Sequence, residues 1–301
     1  MDRGLAAARD AAYCLRHQRG QWINRAAALE SRKDWQGLQA YAERWIKVQP
    51  PSAIAWGVLG EADDSLGQHA QAIEADQKVL QINPQDAGAW NNLGNAYDDA
   101  GQHAQAIDAY RQALQINPQL AQAWYNLGNA YYHADQYAQA IDAYRQGLRI
   151  NPQYAMAWNN LGAAYDDIGQ HAQAIDAYRR ALQINPQNAD AWNNLGLVYG
   201  DAGQHAQAIN AYRQALRINP QLADTWHNLG LAYGQTGQYG QAIDAERQAL
   251  QLEPQDANAW FLLGLMYLRT SQQNQALAAY QHLKTLDPAR AQKLFDLIVP
   301  R

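Results

Sequence analysis

Residues 87–120 read AGAWNNLGNAYDDAGQHAQAIDAYRQALQINPQL, and this stretch decides the fold. Trp90, Leu93, Gly94 and Tyr97 fall at helical spacing and form one apolar stripe. Gly101 interrupts the pattern and permits a sharp turn. A second helical stripe follows in Ala106, Ile107, Tyr110, Ala113 and Leu114. Asn117-Pro118 ends it, because proline has no N–H to donate and restricts the residue before it. The unit is therefore two antiparallel helices, A and B. Gly94 and Ala106 are small where the two must approach closely. Trp90 and Tyr97 bring apolar bulk that one helix pair cannot bury, so neighbouring units must cover it.

Working outward, the unit recurs. Trp56, Trp90, Trp124, Trp158, Trp192, Trp226 and Trp260 are each 34 residues apart, and so are Pro84, Pro118, Pro152, Pro186, Pro220, Pro254 and Pro288. A fixed period in this range marks stacked repeats, not a single compact core. Seven full units are expected, at 53–86, 87–120, 121–154, 155–188, 189–222, 223–256 and 257–290. The frames 85–118 and 187–220 differ at only seven of 34 positions. In the first unit Asp63 and Asp76 stand where most others have Tyr, which is expected to loosen the stack there.

Both ends depart from the pattern. The segment 19–52 keeps Trp22 and Pro50 but has Arg25 for the usual Leu and Leu38 for the usual Ala. It reads as a degenerate capping repeat, preceded by a helix at 2–18. After Pro288, Leu294, Phe295, Leu297 and Ile298 predict a helix that covers the last unit. The expected organisation is thus a helix and capping repeat over 1–52, seven repeats over 53–290 and a capping helix over 289–301.

The order Trp90-x2-Leu93-Gly94-x2-Tyr97, then Ala106-x3-Tyr110, then Pro118, resembles the tetratricopeptide repeat, with Tyr110 where many members have Phe. The resemblance spans all seven units. It implies an all-α fold, a right-handed α-solenoid superhelix whose A helices line a concave groove while the B helices face outward.

Composition excludes several classes. Hydrophobic residues are 48% of the chain, yet mean hydropathy is −0.55, and no apolar run approaches a membrane span. Residues 1–20 are rich in Arg and Ala and lack the apolar stretch of a secretory signal. The single Cys14 allows no internal disulfide and no cysteine metal cluster, and reads as a small apolar helix residue. The expected location is cytoplasmic, or periplasmic if the chain comes from a longer precursor. Net charge is −5, divided as +4 over 1–52 and −9 over 53–301. An acidic body of this kind repels phosphate backbones, so no nucleic-acid partner is expected.

Candidate ligand contacts follow from the groove that the resemblance implies. The residue two after each Trp is Asn92, Asn126, Asn160, Asn194 and Asn228 in the five central units. An amide both donates and accepts, so a ladder of amides can hold the backbone of an extended peptide. The arrangement resembles the asparagine ladder in the tetratricopeptide region of O-GlcNAc transferase. Asn91, Asn159 and Asn193 add amides on the same rim, with Tyr125 and His227 in their place elsewhere. The bland alternative is that these amides only satisfy groups between helices. Further along each A helix the residues change from polar to apolar: Asn95, Asn129, Leu197 and Leu231 in one series, with Asp98, Asp99, Tyr132 and Asp166 in the next two. A ligand basic or polar toward the early repeats and apolar toward the later ones is expected. Burial of Leu197 and Leu231 within their own units would remove the apolar half.

Arg111, Arg145, Arg179, Arg213 and Arg247 all fall on B helices, each three residues after an Asp or Asn, and read as modest surface pairs. No Lys occurs between Lys78 and Lys284, which argues against a clamp for acidic peptide tails. His69, His103, His171 and His205 each follow Gly-Gln, but Tyr137 and Tyr239 replace them elsewhere, so a packing role is expected and metal binding is not. With no His-Glu-x-x-His, phosphate loop or nucleophile elbow, neither catalysis nor a cofactor is expected. The expected function is a non-catalytic scaffold that binds a peptide or partner protein. Two alternatives stand beside it: a self-assembling homo-oligomer, and a regulatory subunit of an enzyme or assembly complex.

Overall fold

The structure, a computed structural model, describes residues 20–299; the expected helix at 2–18 and Cys14 lie outside them. The chain divides into two compact units, Met1–Asn151 and Pro152–Arg301. Among the described residues every regular element is an α-helix. None is long and apolar enough to cross a membrane. In the first unit these are α1 (20–31), α2 (Trp35–Val48), α3 (Ala53–Ser65), α4 (His69–Ile82), α5 (Ala87–Asp99), α6 (His103–Ile116), α7 (Ala121–His133) and α8 (Tyr137–Ile150). The second holds α9 (Ala155–Asp167), α10 (His171–Ile184), α11 (Ala189–Asp201), α12 (His205–Ile218), α13 (Ala223–Gln235), α14 (Tyr239–Leu252), α15 (Ala257–Arg269), α16 (Gln273–Leu286) and α17 (Pro288–Ile298). From α3 on, each A helix has 13 residues and each B helix 14. Each unit is a stack of such pairs, the build of a helical-repeat solenoid.

Local chemistry sets these lengths. Ser52, Asp86 and Asn188 cap α3, α5 and α11 by accepting from Ala55, Ala89 and Ala191 N–H, which satisfies one orphan donor of the first turn. Gly101, at φ 72°, makes the A-to-B turn in a left-handed conformation that costs a side-chain-bearing residue more. Two of the seven full repeats make the same turn without glycine, at Asp135 (φ 57°) and Ser271 (φ 59°), and the capping repeat does so at Lys33 (φ 55°).

Within a repeat, the A and B helices approach over a glycine. A Cβ on Gly94 would fall 2.5 Å from the Tyr110 ring, and Gly128 faces Tyr144 in the same way. Tyr110 and Tyr144 are 2% and 1% exposed, beside the fully buried Ala106 and Ala140. Burying such a side chain contributes roughly 1.5–3 kcal/mol.

The periodic Trp and Pro turn out to be partners. Trp90 Nε1 donates to Pro84 O at 3.0 Å, and the bond recurs in all seven repeats at 2.9–3.2 Å. Each indole thus clamps its A helix to the loop that enters it, and remains half-exposed. Between repeats, Arg111 on α6 donates to Tyr131 Oη on α7 at 2.7 Å, and Arg179 on α10 to Tyr199 Oη on α11 at 3.0 Å.

The ends are packed. Trp22 stacks on the buried Trp45 at 5.6 Å, and α17 buries Ala291, Leu294 and Ile298 against the last repeat. In the first unit α3 touches α5 and α5 touches α7; in the second α9, α11, α13 and α15 touch in sequence. Among the described residues the B helices pack mainly on the A helices beside them, and α16 also on α17. The A helices therefore line the inner face of each unit.

Candidate functional site

On the inner face of the first unit the amides form a network between repeats. Asn126 Nδ2 donates to Asn91 Oδ1 at 3.1 Å and to Asn95 Oδ1 at 2.8 Å. Asn126 Oδ1 accepts from Gln122, and Asn95 Oδ1 also accepts from Tyr110 Oη at 2.8 Å. Asn91 and Asn126 are each only 8% exposed. These two therefore depart from the expected open ladder and join α5 to α7, while Asn92 remains exposed. The cause lies one repeat back. Gly57 and Glu61 offer Asn92 no amide oxygens, whereas Asn91 and Asn95 offer both to Asn126. Tyr125 is buried beside Tyr144, Asn129 Oδ1 accepts from Tyr144 Oη at 2.7 Å, and Tyr132 packs edge-on to Tyr137.

The acids of this face meet histidines. His103 Nδ1 lies 2.7 Å from Asp98 Oδ1, and His133 Nδ1 lies 3.3 Å from Asp98 Oδ2. His69 and Asp64 are paired at 2.9 Å, and His171 and Asp166 in the second unit at 3.0 Å. The packing role expected for these histidines is thus corrected: each ring turns to the carboxylate that ends the preceding helix. His205 shows the converse, since Gly200 stands where the acid would be and its Nδ1 is buried without a partner. Asp99 is exposed; partial burial, then Asp64 and Asp98, push its carboxyl up, against the opposing pull of His69 and His133.

Arg111 makes the expected modest surface pair with Asp108, at 3.6 Å between two exposed groups, and also donates to Tyr131 Oη.

In the second unit Asn159 donates to Asn160 Oδ1 at 3.2 Å, while its own Oδ1 is buried without a partner. Asn193 accepts from Thr225 Oγ1 at 2.9 Å, a contact from α13 to α11 that Thr225, a lone departure from Ala, could have signalled. Asn194 and Asn228 are half-buried on the inner helices. Leu197 and Leu231 are 37% and 42% exposed, and Met156, which the sequence reading passed over, is 58% exposed.

His227 is not an open rim residue. Its Nδ1 lies 3.0 Å from Oε2 of Glu246, which is 0% exposed and occupies the slot that holds Tyr110 and Tyr144 elsewhere. Burial raises the Glu246 carboxyl, with His227 opposing; the hydrogen bond to Glu246 raises His227. The signal was in the sequence: both residues break the repeat pattern in one unit.

The first repeat shows the same substitution. Asp76 fills the tyrosine slot at 3% exposure, and burial together with Asp64 pushes it up to about 7. Asp63, 2% exposed, accepts from Gln39 at 2.6 Å.

Paired helices of fixed length, a glycine under an aromatic ring and a face of regularly spaced amides define a helical-repeat protein. Residues 7–199 and 154–294 match the family model described as Cilia and flagella-associated protein 70 C-terminal domain, and the chain belongs to this family of tetratricopeptide-repeat domains. No curated protein matches the chain. A crystal structure of MamA aligns with a TM-score of 0.53 at 32% identity, over 55% of this chain and 96% of that one. YrrB, described as a TPR protein with an unusual peptide-binding site, aligns with a TM-score of 0.56 at 24% identity, over 62% and 96%. The C-terminal part of a TPR repeat-containing protein from Cytophaga hutchinsonii aligns with a TM-score of 0.68 at 15% identity, over 80% and 98%. The last two likenesses speak to the fold alone.

Proposed function

We propose that the chain is a non-catalytic interaction scaffold that binds an extended polypeptide along the inner faces of its A helices. One observation carries this reading. Leu197 and Leu231 occupy the same repeat position on α11 and α13 and both stay open to solvent. The equivalent Leu265 packs against the core beneath α17. Asn194 and Asn228 lie three residues before these leucines, so amide and leucine share a face of each helix. Amides that both donate and accept suit a peptide backbone, and the leucines suit its apolar side chains. In the first unit the exposed Glu61 and Asp99 suit basic or polar side chains. Asn91, Asn126 and His227 hold the scaffold in this reading and do not touch the ligand.

The test is selection from a displayed random-peptide library on the full chain, followed by solution affinities of the selected peptides. Leu231→Ala is expected to weaken them by more than about 1 kcal/mol, roughly fivefold or more, as loss of an anchor does. Asn194→Ala with Asn228→Ala is expected to weaken peptides of unrelated sequence alike, since amides read backbone. Selected peptides that bind Leu231→Asp as well as the parent would overturn the reading.

A further inference from the structure

We propose that Asp98, His103 and His133 form a binding site for one divalent ion of the zinc, cobalt or nickel type. Each offers a ligand atom, and the three atoms lie within 4.8 Å of one another. In a tetrahedral zinc site, with bonds of about 2.1 Å, ligand atoms stand roughly 3.4 Å apart, so small side-chain rotations close the set. Two imidazoles and one carboxylate are the donor set that such ions favour over magnesium or calcium.

The three ligands come from three helices. Asp98 is near the end of α5, His103 opens α6, and His133 ends α7 in the next repeat. The Asp–His pair itself recurs, as Asp64 with His69 and Asp166 with His171. What does not recur is the second imidazole. The position of His133 holds Ser65, Asp99, Asp167, Asp201, Gln235 and Arg269 in the other repeats. The two rings reach one carboxylate and are tilted by 56° to each other, with centroids 5.4 Å apart.

The charge around the site also calls for a cation. Carboxylate oxygens of Asp64 and Asp99 lie within 4.8 Å of each other, and Asp98 is the next residue along the chain. Among the described residues no Lys or Arg pairs with Asp64, Asp98 or Asp99. A bound ion would neutralise part of this cluster and fasten repeat 87–120 to repeat 121–154. The proposal is independent of peptide binding.

The experiment is titration of the full, metal-stripped chain with zinc alone by calorimetry, and with cobalt alone by visible absorption. One ion per chain is expected at this site, with a cobalt band of low coordination number and a zinc-dependent rise in melting temperature. His133 is exposed, so His133→Ala is expected to keep its helical circular dichroism. It should lose at least the roughly 10–100-fold in affinity that removal of a mere outer partner costs. His103→Ala and Asp98→Asn should match it, while His171→Ala, whose pair lacks a third ligand, should bind as the parent does. Equal zinc affinity in the parent and His133→Ala would overturn the proposal. So would an equal loss in His171→Ala, which would assign the ion to scattered surface imidazoles.

Discussion

At the scale of single residues, the slot under each A-helix glycine sorts the repeats. Tyr110 and Tyr144 fill it and donate to an asparagine; Asp76 and Glu246 fill it with a carboxyl. For Asp76 the sign of the pH dependence follows directly. Its folded value of about 7 lies above the ordinary aspartate value of 3.8, so the folded state keeps a proton that the unfolded chain releases. This contribution is fully present below about pH 4 and is lost as pH rises through 7. Asp76→Asn is expected to flatten that slope and to raise stability at pH 8 by on the order of 2–4 kcal/mol, read from urea unfolding at several pH values. Gly94→Ala is expected to cost about 1–3 kcal/mol in the same assay, because its Cβ would press on the Tyr110 ring. Gly94 and Tyr110 were legible as a close-approach pair because both lie in one repeat. The partners of Asn126 in the previous repeat were not, since they lie 31 and 35 residues away and depend on what that repeat offers.

At the scale of helices and turns, the local signals did most of the specifying. Asn117-Pro118 ends a B helix and Gly101 reverses the chain, and neither depends on distant contacts. Where the glycine is missing, the turn is kept at a cost in conformational energy. Ser271→Gly is expected to stabilise the chain by about 1 kcal/mol, measured by thermal or urea unfolding. The bond from Trp Nε1 to the proline carbonyl could not be read from two parallel series of spacings. It needs the loop path, which places a carbonyl six residues back over the indole edge. Trp192→Phe keeps the ring and removes the donor, and is expected to cost about 1 kcal/mol, with faster amide exchange confined to the start of α11.

At the scale of the molecule, stability is a sum over repeats and their neighbours, so the ends matter most. Leu294 and Leu283 are both fully buried where α17 meets the last pair. Truncation before Pro288 is expected to expose Leu283 and the underside of α15, and to unfold the last repeat ahead of the others in hydrogen exchange. The period of 34 made the repeat count legible from the chain alone. The inner face was less so, because its character depends on residues that differ from repeat to repeat. Leu197 and Leu231 could be named from spacing, but their exposure needed the neighbouring helices in place. His133 belonged to no expected site, and its meeting with Asp98 is a product of stacking.

The seven indole clamps also have an optical consequence. Every periodic Trp is half-exposed and bonded to the same kind of carbonyl, so their emission should merge into one band of common colour. Loss of a single repeat would then dim and redden only a fraction of that band. Replacing all but one of the chain's ten Trp with Phe would turn the survivor into a lamp for its own repeat. A set of such variants would show, by fluorescence alone, where along the chain unfolding begins.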